Sequence, residues 1–189
     1  MLVVVGGHSR NIGKTTAMEE ILRGCPGPWW AFKVTQHGHG ICATVGEDCT
    51  CADGLDHPFA IDEQEVADST DSGRYLAAGA QRAFWVRTAV GELAYALPRL
   101  KELIAQAPNA LIESNSILNF IVPDLYVSIA DFRVQDLKLS SRMFLSRADA
   151  IVVTGGSEPW PEVPGRWLEK PRLAMTDLPE FVKSWCVLR

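Results

Sequence analysis

A glycine-rich segment that ends in a lysine and two threonines is the part of the chain best suited to chemistry. It follows the apolar run Leu2–Val5 and reads Gly7-His8-Ser9-Arg10-Asn11-Ile12-Gly13-Lys14-Thr15-Thr16. A strand that turns through glycines into a helix directs backbone N–H groups and the positive end of the helix dipole toward one point, which suits phosphate. These ten residues are the predicted nucleotide-binding loop: Lys14 would neutralise the β- and γ-phosphates, and the Thr15 hydroxyl would bind Mg²⁺. The spacing is unusual, because five residues separate Gly7 from Gly13 where the strict pattern has about four.

Two further residues are candidates for catalysis beside Lys14. Glu113 ends the apolar run Ala110–Ile112, and ligands collect at the carboxyl ends of strands in open α/β sheets. We expect Glu113 to hold Mg²⁺ or to orient the attacking water; the alternative is a solvated loop carboxylate. Arg10 is expected to contact the γ-phosphate or a neighbouring subunit's nucleotide, with a solvated surface charge as the alternative. Weaker candidates for the second acidic ligand are Asp53, Asp56, Asp62 and Asp71.

Thiols and imidazoles cluster between the second predicted strand and the next helix. At short spacing such groups can form a tetrahedral Zn²⁺ site, and the candidate ligands are Cys42, Cys49, Cys51 and His57. The single residue between Cys49 and Cys51 is not a standard zinc spacing, so a redox pair, a bound thiophilic metal and a mobile loop with free cysteines stay open. His37, His39 and Arg74 are candidates for binding substrate or an anionic group.

The elements that must position these residues alternate between strand and helix. β-branched and apolar runs predict strands at 2–5, 30–35, 83–87, 110–112, 125–129 and 150–153. Periodicity and stop signals predict helices at 14–23, 71–79, 92–107, 140–147 and 180–185, with Pro98 expected to kink or divide the third. Residues 36–71 show little periodicity and are expected to form a Cys/His/Asp-rich insert. The alternation predicts an α/β fold with a mostly parallel central sheet flanked by helices.

Composition limits the classes of protein to which the chain can belong. It has 189 residues, 47% apolar and 22% charged, which are ordinary globular values and suit one domain over 1–189. A net charge of −5 argues against nucleic acid as a partner. No apolar run approaches the ~18 residues of a membrane span, and the first residues lack the features of an export signal. We therefore expect no membrane association and a reducing cytoplasmic compartment.

Three segments in order carry a resemblance to a known family. Beside the glycine-rich loop these are Lys33–His39, the helix Asp71-Ser72-Gly73-Arg74-Tyr75-Leu76-Ala77-Ala78-Gly79-Ala80, and Leu111-Ile112-Glu113. Together they resemble the molybdopterin-guanine dinucleotide biosynthesis protein B family of P-loop NTPases. The resemblance implies a GTP-binding, slowly hydrolysing, often homodimeric adapter that works with molybdenum-cofactor biosynthesis proteins. The chain departs from the family in the longer loop, in Ser114 where the family has Gly, and in the Cys-rich insert.

Two other functions stay open at the level of sequence. The longer loop also resembles that of dethiobiotin synthetase, which implies an ATP-dependent small-molecule kinase or ligase. A non-catalytic, metal-binding nucleotide switch or scaffold is the third possibility. The choice between GTP and ATP is open as well, because the strand end Val152–Gly156 lacks the Asn-Lys-x-Asp pattern of guanine-specific proteins.

Overall fold

The computed structural model describes residues 1–37, 58–161, 163 and 165–187. Within them, eight strands form one sheet in the spatial order β3-β4-β2-β5-β1-β6-β7-β8. All neighbouring pairs are parallel except β3 with β4. The strands are β1 (Leu2–Gly7), β2 (Trp29–His37), β3 (Phe59–Gln64), β4 (Arg82–Ala89), β5 (Asn109–Glu113), β6 (Leu125–Asp131), β7 (Ala150–Gly155) and β8 (Arg172–Leu173). The predicted α/β fold with a mostly parallel sheet is confirmed.

Helices cover both faces of this sheet. They are α1 (Lys14–Gly24), α2 (Asp71–Ala77), α3 (Leu93–Gln106), α4 (Leu139–Phe144), α5 (Gly165–Leu168) and α6 (Leu178–Val187). Side chains alternate between the faces: Val3 and Val5 of β1 pack with α1, α2 and α6, whereas Val4 packs with α3, α4 and α5. Buried apolar residues of this kind stabilise the fold by about 1.5–3 kcal/mol for each large side chain. Among the described residues no helix has the length and apolar character that crossing a bilayer requires.

Two expectations need correction. Residues 59–64 lie inside the segment expected to lack regular structure, yet they form β3, an edge strand that pairs antiparallel with β4. The sequence Phe59–Gln64 mixes apolar and acidic residues because the strand is only partly buried. Of the two effects expected of Pro98, division of the third helix is wrong, since α3 continues through it from Leu93 to Gln106, whereas the kink stays a prediction.

The order of the strands brings together the strand ends that carry the predicted site residues. β5 and β6 flank β1, and β2 lies beyond β5. Because these four strands are parallel, their carboxyl ends meet at one edge of the sheet. Lys33 of β2 and Glu113 of β5 are register partners, so their side chains point to the same face, the one that α1 and α2 cover.

Candidate functional site

The loop between β1 and α1 turns sharply into the helix. Asn11 and Gly13 both adopt left-handed backbone conformations, with φ of 54° and 96°. Gly13 immediately precedes α1 and provides no side-chain cap for it. The first turn of an α-helix leaves backbone N–H groups without partners inside the helix, and its dipole favours an anion. The predicted strand, loop and helix occur in this order, and the helix start is a place where an anion would be favoured.

Side chains from α4 and from the segment that follows β5 hold the start of this loop in place. Asn115 accepts the Gly7 N–H at 2.9 Å and donates its amide to the Gly7 carbonyl at 2.8 Å. The Ser141 hydroxyl also donates to the Gly7 carbonyl, at 2.8 Å. A Cβ on Gly6 would lie 2.1 Å from the Asn115 Oδ1 atom, so the close approach of this amide needs glycine there. The loop is thus fixed by contacts outside its own sequence.

His8 points into the protein and anchors the crown of the loop. Its ring is fully buried against Trp160 and Trp167, at centroid distances of 5.2 and 6.0 Å. The Asp131 backbone N–H donates to Nε2 at 3.1 Å, so Nδ1 carries the proton and donates to the Asp136 carbonyl at 2.7 Å. Burial lowers the pKa of His8. His8 therefore serves the predicted site by holding the backbone, with its imidazole neutral.

Lys14, the first residue of α1, folds back across the loop. Its ammonium donates to the Ser9 carbonyl at 2.7 Å. Burial lowers the pKa of Lys14, while the Glu113 carboxylate opposes the shift. Arg10 is partly buried, and its positive charge also acts on Lys14. Arg10 and Lys14, two of the three predicted catalytic residues, thus lie together on the loop. Glu113, the third, is close enough for its charge to act on Lys14, and it contacts Thr15.

Thr15 and two carboxylates form a compact group of oxygens. The Thr15 hydroxyl lies 3.1 Å from the Asp71 Oδ1 atom and 3.1 Å from the Glu113 Oε2 atom. Its single hydrogen can be donated to only one of them at a time. Glu113 is 4% exposed, and Asp71 is the first residue of α2. Asp71 was one of four weaker candidates in the sequence, and its position at the start of α2 brings it to Thr15.

Lys33 and Tyr75 hold this acidic pair. The Lys33 ammonium lies 2.5 Å from Glu113 Oε1 and 2.7 Å from Asp71 Oδ2, and it bridges the two carboxylates. Burial alone would lower the pKa of Lys33, but Glu113 and Asp71 outweigh it and raise that pKa. Desolvation likewise would raise the pKa of Asp71, but Lys33 outweighs it and lowers that pKa. The fully buried Tyr75 hydroxyl donates to Glu113 Oε2.

The oxygen donors of this group fit Mg²⁺. That ion is commonly held by one or two carboxylates together with substrate phosphates, and it keeps several water ligands. Thr15, Asp71 and Glu113 supply a hydroxyl and two carboxylates beside the phosphate-type loop. In the described part of the chain, no group of three or more His, Cys, Asp or Glu side chains is arranged to hold a metal. The described residues therefore form no metal site made of protein ligands alone, and Thr15, Asp71 and Glu113 would hold Mg²⁺ only together with phosphate oxygens and water.

Two other predicted site residues have partners outside the loop. Arg74 pairs with Glu19 of α1 at 2.7 Å, and His37 ends β2 with its ring edge-on to Trp85 at 6.4 Å. Arg74 also lies 4.0 Å from Asp71 Oδ1, at the border of the group formed by Thr15, Asp71 and Glu113. The remaining candidates, His39, Cys42, Cys49, Cys51 and His57, lie outside the described residues, so the zinc site stays a prediction.

Sequence reasoning gave Lys33, Tyr75 and Asn115 no role in the site. Lys33 and Tyr75 lay within segments that carry the family resemblance, but nothing in their spacing linked them to Glu113. One signal for Lys33 was available, since it is a lysine near the end of an otherwise apolar strand. A buried ammonium requires an acidic partner, so its position indicated a carboxylate nearby. Asn115 lies beyond the strand end and gave no signal of its own.

Comparisons of the chain with protein-family models, with curated proteins and with solved structures found no significant match. The case for a function therefore depends on the geometry of the loop and of the residues around it. Three features carry that case: the turn into α1, the Lys14 ammonium over the loop, and the group of Thr15, Asp71 and Glu113.

Proposed function

We propose that the chain binds a Mg²⁺–nucleoside triphosphate at the loop between β1 and α1 and hydrolyses it slowly. The observation that carries the proposal is the convergence of Thr15 with Asp71 and Glu113, next to the lysine that begins α1. A Mg²⁺–polyphosphate requires a site for its phosphates and, in direct contact with that site, oxygen ligands of the kind that Mg²⁺ prefers. The resemblance to the molybdopterin-guanine dinucleotide biosynthesis protein B family supports GTP as the nucleotide and an adapter role in molybdenum-cofactor assembly.

In this proposal the protein contributes position and charge. Backbone N–H groups at the start of α1 and the Lys14 ammonium bind the phosphates and stabilise the charge that spreads over the transferred phosphoryl group. Thr15, Asp71 and Glu113 would hold Mg²⁺, which supplies Lewis-acid neutralisation of phosphate oxygens when bound. Arg10, on the crown of the loop, adds a further positive charge.

The surroundings of Glu113 account for slow turnover. Its Oε1 atom accepts from Lys33, and its Oε2 atom faces the hydroxyls of Thr15 and Tyr75. Because donors already occupy both of its oxygens, Glu113 is poorly placed to accept a proton as well. Glu113 is therefore proposed to act as a ligand and an electrostatic group, and it does not remove a proton from the attacking water.

The test is calorimetric titration of the purified protein with GTP and with ATP, each with and without Mg²⁺. The proposal expects binding that Mg²⁺ strengthens, and it expects Thr15→Val to remove the Mg²⁺ effect while Mg²⁺-free binding stays. Failure of both nucleotides to bind the wild type would overturn it. Tighter binding of GTP supports the adapter role, whereas tighter binding of ATP with an acceptor-dependent product favours the kinase or ligase alternative.

A further inference from the structure

Asp71 and Glu113 each present their two carboxylate oxygens to different neighbours. The Thr15 hydroxyl lies 3.1 Å from Asp71 Oδ1 and 3.1 Å from Glu113 Oε2. The Lys33 ammonium lies 2.7 Å from Asp71 Oδ2 and 2.5 Å from Glu113 Oε1. The acidic pair therefore has two sides, each made of one oxygen from Asp71 and one from Glu113. We call them the Thr15 side and the Lys33 side.

The Lys33 side is filled by the protein itself. Lys33 lies in β2 between β4 and β5, with Trp85 and Glu113 as its register partners, and 19% of its side chain is exposed. Its backbone is thus fixed inside the sheet, and its ammonium bridges two carboxylates that come from β5 and α2. In sites that hold two divalent ions about 3.5–4 Å apart, a carboxylate can offer one oxygen to each ion. The ammonium lies where the second of two such ions would be held.

Charge separates this ammonium from a metal ion. A lysine supplies one positive charge and three N–H donors, and it stays attached to the chain. Lys33 balances one of the two negative charges of the acidic pair, which leaves the other for the Thr15 side. That charge, together with phosphate oxygens and water, suits a single Mg²⁺. A second divalent ion would have to displace the ammonium from both carboxylates, and a buried ammonium without an acidic partner is costly.

We propose that Lys33 is a built-in cation that takes the position of a second divalent ion and restricts the nucleotide site to one Mg²⁺. The inference rests on the proposed function and deepens it, because it sets the number of metal ions that accompany the bound triphosphate. Lys33 acts through Asp71 and Glu113, so it is a positioning residue. An ion pair that only stabilised the fold would leave the number of bound ions unchanged when the lysine is replaced.

The number of Mn²⁺ ions that the protein binds tests the inference, because Mn²⁺ accepts the same oxygen ligands as Mg²⁺. Free Mn²⁺ is measured by EPR while it is titrated into the wild type, Lys33→Met and Lys33→Arg. GTP, or ATP if the wild type prefers it, is kept below the protein concentration so that nearly all of it is bound. The wild type and Lys33→Arg are expected to bind about one ion for each bound triphosphate, and Lys33→Met about two.

The same titration without nucleotide isolates the role of the lysine. Lys33→Met then offers two carboxylates that no ammonium bridges, and it is expected to bind Mn²⁺ at least about tenfold more tightly than the wild type. Lys101→Met is the matched control, because it removes one positive charge from an exposed position on α3. It is expected to behave as the wild type, which separates the loss of Lys33 from a general gain in negative charge.

The EPR spectrum supplies a signature that a purely structural role would not produce. Two Mn²⁺ ions that share Asp71 and Glu113 lie close enough to broaden each other's signal. Lys33→Met with bound triphosphate is expected to show this broadening, whereas Lys33→Arg, which keeps the positive charge, is expected to give the unbroadened signal of the wild type.

The outcomes separate this inference from the proposed function. If the wild type binds no triphosphate, the proposed function fails, and equal Mn²⁺ affinities of the wild type and Lys33→Met without nucleotide would overturn the inference as well. If the wild type binds two ions with the triphosphate, or Lys33→Met binds one, the inference is overturned and the proposed function stands. If Lys33→Met does not fold, Lys33→Gln, whose neutral amide can still donate to a carboxylate, replaces it in the same titrations.

Discussion

Lys33 and Glu113 form a buried ion pair, with the ammonium 2.5 Å from the carboxylate, although 80 positions separate them in the chain. They meet because β2 and β5 are parallel neighbours in register at this level. The same ammonium reaches Asp71 at the start of α2. One cation therefore ties two strands and a helix together at the edge of the sheet that carries the phosphate-type loop.

Replacing Lys33 is expected to destabilise the protein and to make its stability depend on Mg²⁺. Lys33→Met leaves Glu113 and Asp71 without their shared cation, at a cost of about 2–4 kcal/mol in the free energy of unfolding. Mg²⁺ that binds these carboxylates in the folded chain only will recover part of the loss. Urea denaturation with and without Mg²⁺ measures both effects.

The control for Lys33→Met is Arg99→Met, which breaks the exposed pair between Arg99 and Glu102. We expect it to cost less than about 1 kcal/mol and to show no added response to Mg²⁺. If Mg²⁺ stabilised Lys33→Met no more than the wild type, Asp71 and Glu113 would not be metal ligands.

Removing the Tyr75 hydroxyl tests its hydrogen bond to Glu113. Tyr75→Phe is expected to lower the free energy of unfolding by about 1.5–3 kcal/mol, because the acceptor is a buried carboxylate. The matched control is Tyr126→Phe, since the buried Tyr126 hydroxyl has no carboxylate acceptor among the described residues. That change should stay within about 1 kcal/mol of the wild type. Equal losses in both variants, measured by urea denaturation, would argue against a special role for Tyr75.

His8 gives the fold a pH dependence of defined sign. Because burial lowers its pKa from 6.5, the unfolded chain binds a proton that the folded chain does not, over the interval between the lowered pKa and 6.5. The free energy of unfolding therefore falls as the pH drops through that interval, by up to about 1.4 kcal/mol per pH unit. His8→Gln should flatten this slope, and an unchanged slope would show that His8 does not titrate with unfolding.

Most of the sheet could be predicted because buried parallel strands are continuous apolar runs, as in Leu2–Gly7 and Leu125–Asp131. β3 was missed because an edge strand that is partly exposed keeps acidic residues such as Asp62 and Glu63. The loop residues, Lys14, Thr15 and Glu113 were predicted as site residues from residue type and local order, and the structure places them together. The ion pairs that join Lys33 to Glu113 and Asp71 could not be predicted, because no pattern in the sequence indicates that β2 pairs with β5.

The contacts of Lys138 and Ser141 with the loop were hidden for a related reason. Both follow β6 and reach the loop only because β6 lies beside β1. Contacts between segments more than 120 positions apart, such as those of Lys138 and Ser141 with the loop, leave no local pattern in the sequence. The nucleotide preference and the family resemblance stay predictions.

The most direct measurement is the affinity of Lys14→Ala for Mg²⁺–GTP and Mg²⁺–ATP, compared by calorimetry with the wild type and with Lys101→Ala on the exposed surface of α3. The account predicts that the wild type and Lys101→Ala bind a triphosphate equally well. It predicts that Lys14→Ala, folded by circular dichroism, shows no measurable binding. Undiminished binding by Lys14→Ala would contradict the claim that the loop between β1 and α1 is the nucleotide site.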